Sequence, residues 1–200
     1  MSEQSVLWRG QFGDQYHARS PGSVDANLAF FERALAKAQH ISSILELGCG
    51  VGTNLRALAR LLPATELSGV EINTGAASAA SEVADHVWCD SVLDWSPPRQ
   101  WDLVLTRGVL IHVAPDDLPA AYGVIYEASE RYVLLAEYYA KTPTEVQYRG
   151  HDKALWRRDF AGEFLDLYSN MRLRDYGFVY DRDDVAPQDS INWFLMERTE

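Results

Sequence analysis

Ile44-Leu45-Glu46-Leu47-Gly48-Cys49-Gly50-Val51-Gly52 is the stretch that decides the fold. Ser43–Leu47 is short and apolar and runs straight into glycines, which is the pattern of a buried strand. Gly48, Gly50 and Gly52 allow a tight turn into a helix from Thr53 to Leu62, which Pro63 stops. A backbone without Cβ atoms lets a ligand approach closely, and the helix N-terminus behind it offers N–H groups to a carboxylate. The spacing is GxGxG, whereas the dinucleotide fingerprint is GxGxxG with a pyrophosphate on the helix.

Outward from this stretch the pattern alternates. Glu66–Glu71 reads as a second strand and the alanine-rich Thr74–Val83 as a second helix. Val87–Asp90 is a third strand, stopped by Pro97–Pro98, and Asp102–Thr106 a fourth. Pro115-Asp116-Asp117 is a helix start, Tyr132–Ala136 a fifth strand, and a helix is expected around Leu155–Tyr168. Leu173–Tyr180 and Ile191–Glu197 close the chain as two strands joined only by a loop, so they should pair antiparallel. The alternation predicts an α/β, Rossmann-like fold: a mostly parallel seven-stranded sheet with an antiparallel last strand. No repeat or linker divides residues 1–200, so one domain is expected.

Residues 1–40 form an N-terminal helical cap ahead of a 41–200 core on this reading. Ser23 is a plausible N-cap for a helix carrying Val24, Leu28, Phe31 and Leu35. Upstream, Trp8, Phe12 and Tyr16 recur every four residues, the spacing of one helix face. They suit either a helix docked on the core or a lid that places Phe12 and Tyr16 over a ligand.

Composition narrows the partners. Of 200 residues, 47% are hydrophobic and 12% aromatic, enough for a sizeable core. A net charge of −11 argues against a nucleic-acid partner, because phosphates must be neutralised to be gripped. No apolar run approaches membrane-spanning length, so no membrane partner is expected. Two cysteines (Cys49 and Cys89) and no signal-peptide pattern at Met1–Gly10 suggest a cytoplasmic protein. The five histidines show no metal-ligand spacing, so no catalytic metal is expected.

In open α/β sheets ligands bind beyond the carboxyl ends of the strands, where the informative residues fall. Glu71 ends the second strand, 23 residues after Gly48, where an acid accepts both ribose hydroxyls. Asp90 and Ser91 end the third strand, placed for an adenine amino group. His112, six residues past the fourth strand, suits a general base or a packing role. Glu137, Tyr138 and Tyr139 end the fifth strand, Tyr176 and Tyr180 frame the sixth, and Asn192 lies on the seventh. A cationic ligand would match the negative faces of tyrosine rings. Arg149, His151, Lys153, Arg157 and Arg158 form a basic island that reads as anion recognition or as a solvated face paired with local acids.

ILELGCGVG, GVE, CDS and WDLVLTRGVLIH, in this order, resemble the successive motifs of class I S-adenosylmethionine (SAM)-dependent methyltransferases. WRGQFGDQY (8–16), LTRGVLIHVAPDDLP (105–119), YRGHDKALWRRDFAGE (148–163) and YGFVYDRD…PQDSINWF (176–194) are similar to the pseudaminic acid biosynthesis-associated methylases. The resemblance implies SAM as cofactor, with Glu46, Gly48 and Gly50 at its methionine part, Glu71 at the ribose and Asp90 and Ser91 at the adenine. It also puts Arg107 and Gly108 beside the sulfonium. The catalytic candidates are Tyr138, Tyr176, His112, Glu137 and Asn192. Methyl transfer to a small molecule is the leading expectation. Azetidine-2-carboxylate synthases also resemble class I methyltransferases, so SAM alone, cyclised with release of methylthioadenosine, is the runner-up. A SAM-binding protein without catalysis is the third reading. The in-line placement of a nucleophile decides among the sulfonium's carbons.

Overall fold

The computed structural model describes residues 3–19 and 22–199, and the side chains of residues 3, 17–19 and 151 lie outside that description. Nine strands and seven helices are described: α1 Glu3–Arg9, α2 Gln11–Arg19, α3 Val24–Ala34, β1 Ser43–Leu47, α4 Thr53–Leu61, β2 Glu66–Val70, α5 Thr74–Ala80, β3 His86–Trp88, β4 Trp101–Arg107, α6 Leu118–Ala128, β5 Ser129–Glu137, β6 Thr144–Tyr148, β7 His151–Arg157, α7 Phe160–Leu167, β8 Met171–Val179 and β9 Ile191–Arg198. Seven strands form one sheet in the order β3-β2-β1-β4-β5-β9-β8. β1 through β5 are parallel, and β9 runs antiparallel between β5 and β8. The expected Rossmann-like α/β architecture is present, including the antiparallel last strand.

All five residues of β1 are buried because helices cover both faces of the sheet. Alternation along the strand sends Leu45 and Leu47 to the side of α6 and α7, with Tyr122 and Phe164. Ile44 goes to the opposite side, with Phe30 and Phe31 of α3 and Leu55 and Leu58 of α4. Glu46 shares that second face, so its carboxylate meets the first turn of α4. Helix α3 therefore packs on the sheet, although it falls inside the stretch read as cap. Ser23 caps it as expected, its Oγ accepting from the Ala26 amide at 3.2 Å.

The region 144–167 departs from the sequence reading. A helix is expected around Leu155–Tyr168, but Ala154, Leu155 and Trp156 lie in β7 and are buried. β7 pairs with β6 in a two-stranded hairpin, where Trp156 faces Glu145 and Leu155 faces Val146. The chain reverses at Arg149 and Gly150, with φ of 50° and 85°. The helix begins only at Phe160, after Asp159 accepts from the Gly162 amide at 2.8 Å and caps it. β6 was not legible because Thr144–Tyr148 is polar and carries too few apolar residues to read as a strand. Helices α1 and α2, parted at Gly10, carry the Trp8, Phe12 and Tyr16 face over the carboxyl edge of the sheet.

Candidate functional site

A cavity of 470 Å³ lies beyond the carboxyl ends of the strands. Its floor is the turn after β1. Gly48, Gly50 and Gly52 have φ of 72°, 54° and 79°, a region that side chains with a Cβ avoid. A Cβ on Gly48 would stand 2.5 Å from Val109 Cγ2, so residue type and close approach are both fixed there. The turn is held from β2: the Gly48 and Cys49 amides donate to the Val70 carbonyl at 2.7 and 3.1 Å. Glu71 Oε2 accepts from the Gly50 amide and Oε1 from the Asn73 amide, each at 2.8 Å. Each carboxylate oxygen keeps further acceptor capacity toward a ligand.

Beneath the turn lies a buried polar network. Glu46 Oε1 accepts from Asn54 Nδ2 at 2.6 Å, while Oε2 has no partner. Burial pushes the Glu46 carboxyl up to about 7, against the opposing effects of Asn54 and Arg107. Asn54 Oδ1 accepts from Asn27 Nδ2 at 2.8 Å and from Arg107 at 2.9 Å. Arg107 also donates to Asn27 Oδ1 at 2.7 Å and to Gln188 Oε1, and its guanidinium lies 4.7 Å from the centre of the Phe30 ring. Burial lowers the Arg107 pKa, yet its Nε finds no partner.

Glu137 is buried at the end of β5. Its Oε1 accepts from Thr106 Oγ1 at 2.9 Å and the Val109 amide at 3.2 Å, and its Oε2 from the Ile111 amide at 3.2 Å. It thus fastens the loop after β4 and does not border the cavity. Burial raises its carboxyl to about 7. His112 does border the cavity, with Nδ1 2.6 Å from the Ala154 carbonyl. Burial lowers its pKa to about 4, so near neutrality the ring is uncharged and Nδ1–H is the donor.

The roof is aromatic. Trp8 lies edge-on to Phe12 and Tyr16, both at 5.2 Å between ring centres, and 4.6 Å from His112. Tyr148 of the hairpin is 5.1 Å from His112 and 6.4 Å from Phe12. Asn73 Nδ2 donates to Asp14 Oδ1 at 2.7 Å, and Gln4 Nε2 to the Lys153 carbonyl at 3.1 Å. The two bonds tether the N-terminal helices to the sheet and to the hairpin.

Of the residues singled out from sequence, Gly48, Gly50, Glu71, Ser91, Arg107, Gly108, Tyr16, His112 and Tyr138 border this cavity. Glu46 lies beneath it and acts on it through Asn54. Phe12 packs behind Trp8. Asp90 turns back on its own backbone, accepting from the Ser91 amide at 2.7 Å. Tyr176 points to solvent, 67% exposed, because β9 intervenes between β5 and β8 and carries it away from Tyr138. Asn192 is paired in register with Glu137 but does not border the cavity. Arg157 and Arg149 lie 5.7 and 5.5 Å from the ring centres of Tyr138 and Tyr148, and neither borders it. Sequence reasoning missed Asn27, Asn54, Tyr148, Gln188 and Asp189. Asn27 carried one signal, a polar residue on the apolar face that holds Phe30, Phe31 and Ala34.

Among the described residues no group of acidic, histidine or cysteine side chains could hold a metal ion, and no helix is long and apolar enough to cross a membrane. No curated protein sequence matches this chain. Its fold is similar to the 1,6-didemethyltoxoflavin-N1-methyltransferase of Burkholderia thailandensis, with 16% identity over 99% of this chain and 90% of that one and a TM-score of 0.76. It is also similar to the magnesium protoporphyrin IX methyltransferase of Synechocystis PCC 6803, crystallised with S-adenosylhomocysteine (14% identity, 98% and 100% covered, TM-score 0.71). The sugar N-methyltransferase of Streptoalloteichus sp ATCC 53650 is a third (16% identity, 96% and 94% covered, TM-score 0.67). The methyltransferase domain family matches residues 17–181, most of the chain, and the protein belongs to that family.

Proposed function

We propose that the protein transfers the methyl group of SAM to a small molecule. The observation that carries this reading is the order of residues along one cavity: Ser91 beyond β3, Glu71 beyond β2, Gly48 and Gly50 beyond β1, Arg107 at the end of β4 and Tyr138 beyond β5. The residues fit the ligand from end to end. Ser91, Val92 and Leu93 offer a mixed wall for adenine, and Glu71 has acceptor capacity for ribose hydroxyls. The glycine turn allows the amino-acid end to approach the main chain, with the Arg107 network beside it. SAM supplies an electrophilic methyl carbon on a sulfonium.

The chain's own residues bind, orient and exclude water. Tyr16, Tyr138 and Tyr148 border the part of the cavity where a cationic centre would lie, and Trp8 packs edge-on against Tyr16. A pKa of about 4 makes His112 a poor general base near neutral pH, so we assign it to positioning the roof. Glu137 holds the loop that carries Gly108 and Val109. The N-terminal helices act as a lid on this reading. The resemblance to the pseudaminic acid-associated methylases adds sugar-derived molecules to the acceptors worth testing.

The size of the cavity favours a second reading. Sites for drug-sized ligands occupy about 300–1,000 Å³, and 470 Å³ lies in the lower half of that range, so SAM fills much of it. SAM could then be the only substrate, its own amine attacking the γ-carbon to give azetidine-2-carboxylate and methylthioadenosine. Incubating the protein with SAM alone and reading products by mass spectrometry separates the two. Methylthioadenosine with a cyclic amino acid supports cyclisation. SAM that binds but returns unchanged, then yields S-adenosylhomocysteine once small acceptors are added, supports methyl transfer. Absence of SAM binding overturns both.

A further inference from the structure

Strand order acts as a ruler along the cavity. Neighbouring strands lie about 4.8 Å apart, so the ends of β3, β2, β1 and β4 span roughly 14 Å. Adenine, ribose and the amino-acid tail take up those four strand ends on the reading above. What lies past them, beyond β5 and ahead of β9, is Tyr138 and Asp189.

Among the described residues, Glu71, Arg107 and Asp189 are the side chains bordering the cavity that are charged near neutrality, His112 being neutral there. Glu71 is committed to the ribose end and to two backbone amides. Arg107 is held by Asn27, Asn54 and Gln188. That leaves Asp189, within electrostatic reach of Arg107, as the negative charge at the acceptor end. Tyr138 Oη donates to Asp189 Oδ2 at 3.4 Å, a long bond that a better donor would displace. Tyr16 and Tyr148 border the same space. Burial, with Asp189 and the other tyrosines close by, raises the pKa of Tyr16 and Tyr138, so both stay neutral phenols. Arg157 and Arg149 lie over the Tyr138 and Tyr148 rings without entering the cavity. A carboxylate among electron-rich rings selects a cation and disfavours an anion.

We propose that the methyl acceptor is a small amine, bound as its ammonium by Asp189 within the ring of Tyr16, Tyr138 and Tyr148. The proposal rests on the methyl-transfer reading. The ammonium first loses one proton to solvent. The neutral nitrogen then forms an N–C bond to the methyl carbon as the C–S bond breaks and its electron pair passes to sulfur. S-adenosylhomocysteine leaves neutral, and the methylated nitrogen carries the positive charge.

Three probes of one shape test this: butylammonium, butyrate and butanol, carrying positive, negative and no charge. Each is titrated at constant ionic strength, with and without S-adenosylhomocysteine, and thermal stabilisation is read. Butylammonium alone should stabilise the protein. Asp189→Asn, an exposed position whose change should leave folding intact, should weaken that binding by about 10-fold or more. Tyr138→Phe should weaken it by roughly threefold. S-adenosylhomocysteine should bind Asp189→Asn as tightly as the wild type.

Preference for butyrate or butanol, or equal butylammonium binding by Asp189→Asn, overturns the proposal. So does a loss of S-adenosylhomocysteine affinity in Asp189→Asn, since Asp189 would then hold the amine of the cofactor. Because the amine is also titrated alone, failure of S-adenosylhomocysteine to bind wild type would count against the SAM reading, while the three probes still judge the cage.

Discussion

The floor of the cavity and its roof are built on different principles. The floor is local: one strand, one turn and one helix, Ser43 to Leu61, with φ values and close contacts that tolerate only glycine at Gly48. The roof is assembled from distant pieces: α1 brings Trp8 and the β6–β7 hairpin brings Tyr148 to His112, while the loop before β9 brings Asp189 to Tyr138. The floor is backed by fully buried strands and cannot move without disturbing the core. Among the described residues, aromatic contacts and the Gln4 and Asn73 hydrogen bonds attach the roof to the hairpin and to the sheet. One side of the cavity is thus framed by local backbone, and the other by side chains brought from distant segments.

The largest expected effect attacks the floor. Gly48→Val puts a β-branched side chain at a φ of 72° and into Val109, and should lower SAM affinity by about 100-fold or more and also lower Tm. Calorimetric titration and thermal unfolding check it. A variant with near-normal SAM binding would mean the floor is less rigid than described.

Changes in the roof should separate turnover from stability. Removing residues 1–20 should abolish turnover while cooperative unfolding persists, and Trp8→Ala should lower kcat/KM by about 10-fold with Tm little changed. Full activity in the truncated protein would break the comparison, because the helices would then be packing and no lid.

A third prediction concerns the cost buried in the floor. Glu46 and Glu137 ionise near pH 7 in the folded chain, well above the ordinary value of 4.5. Between these values the folded chain binds more protons than the unfolded chain, so stability should fall as pH rises from 5 to 8. Glu46→Gln gives the unpartnered Oε2 position a neutral group and should flatten this fall, by roughly 3 °C of Tm at pH 8. An unchanged slope would place the pH dependence elsewhere.

The smallest effect is at the tether. Asp14→Ala removes the hydrogen bond to Asn73 at the roof's edge and should raise KM by about twofold with kcat unchanged. Steady-state kinetics reads it, and a change in kcat alone would assign Asp14 a different part.

Much of the floor was legible because its causes are local. Apolar runs of strand length, glycines at positions with positive φ, and an acid at the end of β2 each leave a trace within a few residues. The antiparallel pairing of β8 and β9 followed from there being only a loop, and no helix, between them. The roof was less legible. Trp8, Phe12 and Tyr16 showed their helical spacing, but not that Trp8 meets His112. Tyr148 lay in a stretch too polar to announce a strand. Tyr176 and Tyr138 looked alike in sequence, and only the insertion of β9 between β5 and β8 sends one to solvent and leaves the other at the cavity.

The sequence by itself determined the alternation of strands and helices, the glycine turn and the acid facing it, since backbone sterics and hydrophobic periodicity act over a few residues. Tertiary structure alone decided which side chains share the cavity. It paired Asn27 with Asn54 and Arg107, gave Glu137 to the amides of Val109 and Ile111, and brought Asp189 to Tyr138. Those partners lie far apart along the chain, and packing of buried surfaces, which no local rule encodes, fixes who meets whom.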